Sequence, residues 1–397
     1  MRRKRESTAK RVGYVFISLI FALASLLMLA RQAVVFHPGS GEEAAYALAS
    51  TDLGARLSIS LSNSKADALS GIATIRKHYV IPEDALKAPA PDPDAFGVVS
   101  IEEADKVLPV IEKARASGLL DGQEMLFDPN ANFYHDSFIG YYYDETILMI
   151  IWKEVINNTT CSCMEVKIAD ASQFRRKIAD DTLGSPVQLY ASELAKTVNP
   201  VVAMNADFYM FRDFGVVAYQ RQLWRMDEST YTGMYKKYNC VDTCFIDGDG
   251  NFHFTHRLEE RSREEMQQYL DANNILFSLS FGPVLVENGE LQHCDWYPAG
   301  EPTRGDSRAA IGQVDKLHYY YLSVNHSPEM AALWTVDNVA QVFYDRGIPN
   351  AYGLDGGQTS EILFQGEPYN HIDYGAERVV SDIIYFASAI PETEVRA

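Results

Sequence analysis

An uncharged run from Val12 to Ala30 follows a basic start made of Arg2, Arg3, Lys4, Arg5, Lys10 and Arg11. Nineteen such residues are about long enough to cross a bilayer as a helix. The basic flank predicts a cytoplasmic tail over 1–11, an anchor over 12–30 and everything after Arg31 outside the membrane. Ala30-Arg31-Gln32-Ala33 is a poor small-x-small cleavage site, and the apolar run exceeds the usual signal-peptide core of about 7–15 residues. The pattern therefore favours an uncleaved anchor over a cleaved signal peptide. Residues 31–99 are rich in Ala, Ser and Asp and end in Ala88-Pro89-Ala90-Pro91-Asp92-Pro93-Asp94, which reads as a stalk or linker with a helix over 54–80. Ser100-Ile101-Glu102-Glu103 has capping-box spacing, and Ile101, Ala104, Leu108 and Ile111 recur at helical spacing. A lead-in helix over 100–131, ending near Gly118, is the expectation.

From about Asn132 the pattern turns strand-like. Thr146 to Trp152 is an apolar run and Cys161 to Ile168 alternates. Asp170 to Arg175 reads as a turn into a short helical stretch, and Ser192 to Lys196 as a helix leading into an apolar strand at Val201. Further strands are expected near 215–219, 241–246, 252–256, 284–286, 317–324 and 383–386. Val336 to Arg346 is an amphipathic helix with Gly347 as its C-cap. No repeat stands out. The fold class is α+β or mixed α/β, a strand-rich single domain of catalytic type over 132–390, behind the N-terminal transmembrane helix and stalk.

Charge narrows the partners. The chain carries 35 basic and 54 acidic residues, a net −19. Residues 1–30 hold six basic residues and one acidic residue, so the remainder has 29 basic against 53 acidic, a net −24. Such a surface repels nucleic acid, so no nucleic-acid partner is expected. The five cysteines are Cys161, Cys163, Cys240, Cys244 and Cys294. Cys240 and Cys244 are spaced to close a small loop, and Cys161 and Cys163 fall on one face of a strand. The spacings are not those of a zinc cluster. Asp247-Gly248-Asp249-Gly250-Asn251 begins like a calcium loop, but Phe252 and Leu258 stand where an EF-hand needs Gly and an acid, so a hairpin turn is expected. No metal ligands and no cofactor are assigned, although the pattern does not settle whether a divalent metal takes part.

The chemistry concentrates in Gly353-Leu354-Asp355-Gly356-Gly357-Gln358-Thr359-Ser360. Glycine lacks a Cβ, so the backbone N–H groups of Gly356 and Gly357 can approach an anion. In isolation the segment reads first as a tight turn between strands. Three other segments precede it. They are Asn205-Ala206-Asp207-Phe208 after an apolar strand, Phe281-Gly282-Pro283-Val284-Leu285-Val286, and Arg308-Ala309-Ala310-Ile311-Gly312. This order resembles the phosphodiester glycosidase family over roughly Tyr141 to Ala387. That family includes the animal enzyme that uncovers sugar phosphates by removing N-acetylglucosamine, and bacterial envelope proteins associated with exopolysaccharide. Two positions and one three-residue segment differ from the usual family pattern. Gly353 stands for an Asn, Gln358 for a third Gly, and Asn325-His326-Ser327 for an Asp-Gly-Arg that many members carry.

The resemblance implies hydrolysis of a sugar-1-phosphodiester, and the motifs supply residue types for each need. Asp355 and Asp207 are the candidate carboxylate pair, each following a short apolar strand, with His326 as a further acid or base. Arg308 is the candidate bidentate phosphate grip. Asn205 is a candidate for orienting an N-acetyl group, and Gly356, Gly357, Thr359 and Ser360 for ligand contacts. Glu377-Arg378-Val379-Val380-Ser381-Asp382 resembles the closing element of the family, where Arg378 either grips phosphate or pairs with Asp382. The expected partners are a glycan or sugar-phosphodiester substrate and the membrane. The alternatives are a non-catalytic glycan-binding relative and an accessory protein of polysaccharide export. Protease added to intact cells should remove the body from its anchor. A body protected until lysis, or released without residues 1–30, would contradict the uncleaved anchor.

Overall fold

The computed structural model describes residues 79–391, apart from 83–84, 212–214, 227–240, 258, 260, 295–296 and 326–333. The expected anchor, the helix over 54–80 (all but its last two residues), Cys240 and His326 lie outside the described residues. Among the described residues no helix is long and apolar enough to cross a membrane.

Strands dominate, with few helices, a mixed α+β body. The largest sheet has nine strands, in the order Glu290–Leu291, Val284–Glu287, Asn350–Leu354, Arg308–Asp315, His318–Val324, Thr159–Ile168, Ile147–Ile156, Phe138–Tyr143, Phe96–Ser100. Its neighbours pair antiparallel. The central strands are covered on both faces. Met149, Ile151, Met164, Val166, Tyr319 and Tyr321 enter one core cluster. The alternate residues Ile150, Trp152, Cys161, Cys163, Tyr320 and Leu322 enter another. Double coverage explains why Ile147 to Trp152 is an unbroken apolar run: a strand with one wet face would alternate. The second cluster lies under the helices Leu108–Ala116 and Val336–Asp345, whose apolar residues belong to it. The helix Val336–Asp345 has the expected C-terminal Gly347 at φ +70°.

Opposite lie two five-stranded sheets. One runs Glu367–Pro368, Ile362–Phe364, Val202–Asn205, Asp382–Phe386, Phe174–Ile178. The other runs Phe252–Thr255, Thr243–Asp247, Ile275–Leu279, Val217–Tyr219, Gln222–Arg225. Met204, Ile384 and Phe386 from one, and Ile246 and Phe277 from the other, meet the first core cluster of the large sheet.

Several expectations change. Phe96–Ser100 is the edge strand of the large sheet, and Tyr79–Val80 pairs with Ile390–Pro391, so the end of the expected stalk over 31–99 is part of the body. Ser100 makes no side-chain cap, and Ile101–Val107 is a 3-10 helix before the α-helix begins at Leu108. Ala171–Gln173 is a 3-10 turn capped by Asp170, but Phe174–Ile178 after it is a strand, not a helix. The Asp247 turn is the expected hairpin. Asp247 Oδ1 accepts from the N–H groups of Asp249 and Asn251, and Oδ2 lies 2.7 Å from His253.

Candidate active site

Val202–Asn205 and Asn350–Leu354 belong to different sheets, and the polypeptide just beyond their ends meets. The N–H of Asp355 donates to the carbonyl of Ala206 at 3.3 Å. Asn205 Nδ2 donates to the carbonyl of Asp355 at 2.7 Å. Asn205 Oδ1 accepts from the Tyr321 hydroxyl at 2.6 Å and from the N–H of Glu361 at 3.1 Å. Every polar atom of this side chain is spent on joining the two sheets. Asn205 is therefore a bracket that places Asp355 and does not stand ready for an N-acetyl group. The rule that active residues sit at strand ends of open parallel sheets does not apply to this antiparallel body; the site forms where two sheets converge.

Asp207 is brought near Asp355, as the motif order implies, but its carboxylate is committed to the fold. Oδ1 takes the Tyr209 N–H at 2.8 Å and lies 3.1 Å from an Arg176 Nη2; Oδ2 takes the Ser280 N–H at 2.8 Å. The same Arg176 nitrogen lies 2.6 Å from Asp382, and another donates to the carbonyl of Ser278. All three charged side chains are at most 1% exposed. One guanidinium thus faces two carboxylates. Burial and the charge of Asp207 push Asp382 up to about 7 against the pull of Arg176. Asp382 therefore pairs with Arg176, and the expected alternative of an Arg378–Asp382 pair is corrected.

Asp355 is the carboxyl left for chemistry. It keeps part of its surface open to solvent. Its carboxyl, however, is buried, and that burial pushes its pKa up to about 6, with Asp207 adding to this. A hydrogen bond from Thr359 Oγ1 to Oδ2 at 2.8 Å, the charge of Arg378 and the N–H of Gly356 pull the other way. Arg378 is exposed, lies over the Phe211 ring at 5.8 Å, and is the arginine whose charge acts on Asp355.

Arg308, the expected phosphate grip, is otherwise engaged. Nε donates to the carbonyl of Trp334 at 3.1 Å, Nη1 to Gly300 at 2.6 Å, and Nη2 to Glu301 at 3.0 Å and Arg304 at 2.5 Å. Four carbonyls hold the fork, so the side chain pins the 300–304 loop and the entry to the helix Val336–Asp345. The glycine amides are also spent. Gly356 N–H supports the Asp355 carboxylate, and Gly357 N–H donates to the Ser307 carbonyl at 3.0 Å. A Cβ at Gly356 would lie 2.5 Å from that same carbonyl oxygen, so this glycine is needed for packing and not for a ligand. Thr359 Oγ1 serves Asp355. Ser360 is fully buried, with Oγ 3.0 Å from the Arg308 carbonyl and 2.8 Å from Ser323 Oγ.

Two of the positions that differ from the family pattern, Gly353 and Asn325, have local reasons. A Cβ at Gly353 would lie 2.8 Å from the Gly282 carbonyl oxygen, leaving no room for an Asn. Asn325 is buried in a network with Ser323, Ser360 and Asn370. Sequence reasoning missed Arg176, although the alternation Phe174, Arg176, Ile178 places it on the inward face of a strand. It also missed Glu361. That side chain is 1% exposed, and burial with neighbouring Glu377 pushes it up to about 8.

No curated protein matches the sequence. Two of the solved structures that resemble it illustrate the likeness. One is the catalytic domain of zebrafish N-acetylglucosamine-1-phosphodiester alpha-N-acetylglucosaminidase auto-inhibited by its pro-peptide, at 15% identity over 61% of this chain and 83% of that one, with a TM-score of 0.46. The other is a hypothetical protein from Synechocystis, at 13% identity over 61% and 62% of the two chains, with a TM-score of 0.43.

Replacing Arg176 by Met should lower the unfolding free energy by about 3–5 kcal/mol, because two buried carboxylates lose their shared partner. Urea unfolding of the purified variant measures this. A loss below about 1 kcal/mol would show that the carboxylates do not depend on Arg176. The four ordered motifs fall within residues 199–387, the segment that matches the family model for phosphodiester glycosidase.

Proposed function

We propose that the domain hydrolyses a sugar-1-phosphodiester of the N-acetylhexosamine type, in envelope or exopolysaccharide glycans, on the outer face of the membrane to which residues 12–30 anchor it. The observation that carries this reading is the electrostatic coupling of Asp355 to Arg378: the buried carboxyl of a partly exposed aspartate is stabilised as a charge by an exposed arginine, inside the family-matched segment. The bond to be broken joins the anomeric carbon to a phosphate oxygen. A phosphate leaving group is weakly basic and needs little protonation. The demand falls on the anomeric carbon, where positive character develops and a nucleophile must arrive. Asp355 meets it as a carboxylate, by activating water or by attacking directly, and Arg378 neutralises the departing phosphate. Asp207 contributes a fixed negative charge from behind. Thr359 keeps the Asp355 carboxyl oriented.

One observation favours the second reading, a glycan-binding relative without turnover. The donors of Arg308, Gly356 and Gly357 are spent inside the fold, so fewer remain for a phosphate.

Released sugar from an N-acetylglucosamine-1-phosphodiester separates the two. Asp355→Asn should lower turnover by about 10²-fold or more while glycan binding survives. In the wild type, turnover should fall as pH drops through about 6, because protonated Asp355 cannot act at the anomeric carbon. Glycan binding with no sugar released by the wild type from several sugar-1-phosphodiesters would sink the hydrolase reading.

A further inference from the structure

Glu361 follows the Asp-Gly-Gly segment directly and is 1% exposed. Its Oε1 is buried with no hydrogen-bond partner. The rest of the carboxyl meets Glu377 in a side-chain hydrogen bond. Two carboxyl groups share a hydrogen bond only when one of them carries the proton. Glu377 accepts from Ser192 N–H at 3.0 Å on one oxygen and from Ser192 Oγ at 2.7 Å on the other, which is how a carboxylate behaves. The proton therefore belongs on Glu361. The groups facing this pair are Ser192 on the helix Ala191–Ala195 and Tyr321 on the large sheet, whose hydroxyl feels the charges of Glu361 and Asp355; Arg378 follows Glu377 directly in the chain.

We propose that Glu361 is a positioning residue: as a neutral acid it donates to Glu377 and so fixes Arg378, one residue on, beside Asp355. The inference rests on the Asp355–Arg378 reading of the site. Both ends of the link are anchored. Glu361 N–H is tied to Asn205, the side chain that also holds the Asp355 carbonyl, and Glu377 is tied to Ser192. Without the shared proton, a buried and a half-buried carboxylate would repel each other, and the segment carrying Arg378 would lose its attachment to the Asp355 loop.

Glu361→Gln keeps a donor without a titrating proton; Glu361→Ala removes the link. Inorganic phosphate is the probe of the Arg378 position, read by calorimetry on the full chain in detergent. Glu361→Gln should bind phosphate within about twofold of wild type and Glu361→Ala about tenfold more weakly, the scale of one charge-assisted hydrogen bond. KM for the phosphodiester should follow the same order, with kcat moving less. A second readout does not need turnover. An acid whose folded pKa is raised binds its proton more tightly when folded, so wild-type stability falls as pH rises from the ordinary glutamate range to about 8. The melting temperature of Glu361→Gln relative to wild type should therefore rise across that window and level off above it. Equal loss of phosphate affinity in both variants, or a melting difference flat with pH, would overturn the positioning role. Absence of turnover in the wild type would sink the reaction proposed above, while phosphate affinity and the pH dependence of stability still decide the role of Glu361.

Discussion

The candidate site depends on one buried guanidinium. Arg176 touches Asp207, Asp382 and the carbonyl of Ser278, and so joins three strands drawn from two sheets. An arginine in an apolar interior is tolerable only when its fork is satisfied, and the two carboxylates are tolerable only because the fork is there. Their excess of one negative charge raises Asp382 and adds to the rise at Asp355. Arg176 lies before the family-matched segment while both of its acidic partners lie within it. The matched segment alone therefore does not complete its own electrostatics.

Around this fixed centre most of the conspicuous polar residues do structural work. Asn205 brackets two sheets, Arg308 gathers four carbonyls, and Gly356 makes room for a backbone. Subtracting what the fold consumes leaves the buried carboxyl of the half-exposed Asp355 and the exposed Arg378. Thr359 orients the Asp355 carboxyl, and Glu377, the residue before Arg378, hydrogen-bonds Glu361.

The sequence made the strand-rich body legible where periodicity was strong. The run Ile147 to Trp152, the alternation Cys161 to Ile168 and the helix Val336–Asp345 with its Gly347 all stand where the pattern puts them. Phe174–Ile178 was obscured because two arginines and a lysine interrupt its apolar face, and charge at an inward position is readable only once its partners are known. The helix Arg263–Ala272 was also missed, although Ser262 and Glu265 form a capping box before Met266 and Leu270. Motif order located Asp207 and Asp355 near each other. It could not say which donors were already taken, because Arg308 and the glycine amides are filled by carbonyls from segments that share no pattern with them.

The central claim is that phosphate is received by Arg378 at Asp355 and not by Arg308. A structure of the protein bound to a non-hydrolysable N-acetylglucosamine-1-phosphonate tests it most directly. The account predicts the phosphonate against the Arg378 guanidinium, with the anomeric carbon turned to the Asp355 carboxyl and Arg308 still holding its four carbonyls. A phosphonate bound by Arg308, with the 300–304 loop displaced, would contradict it.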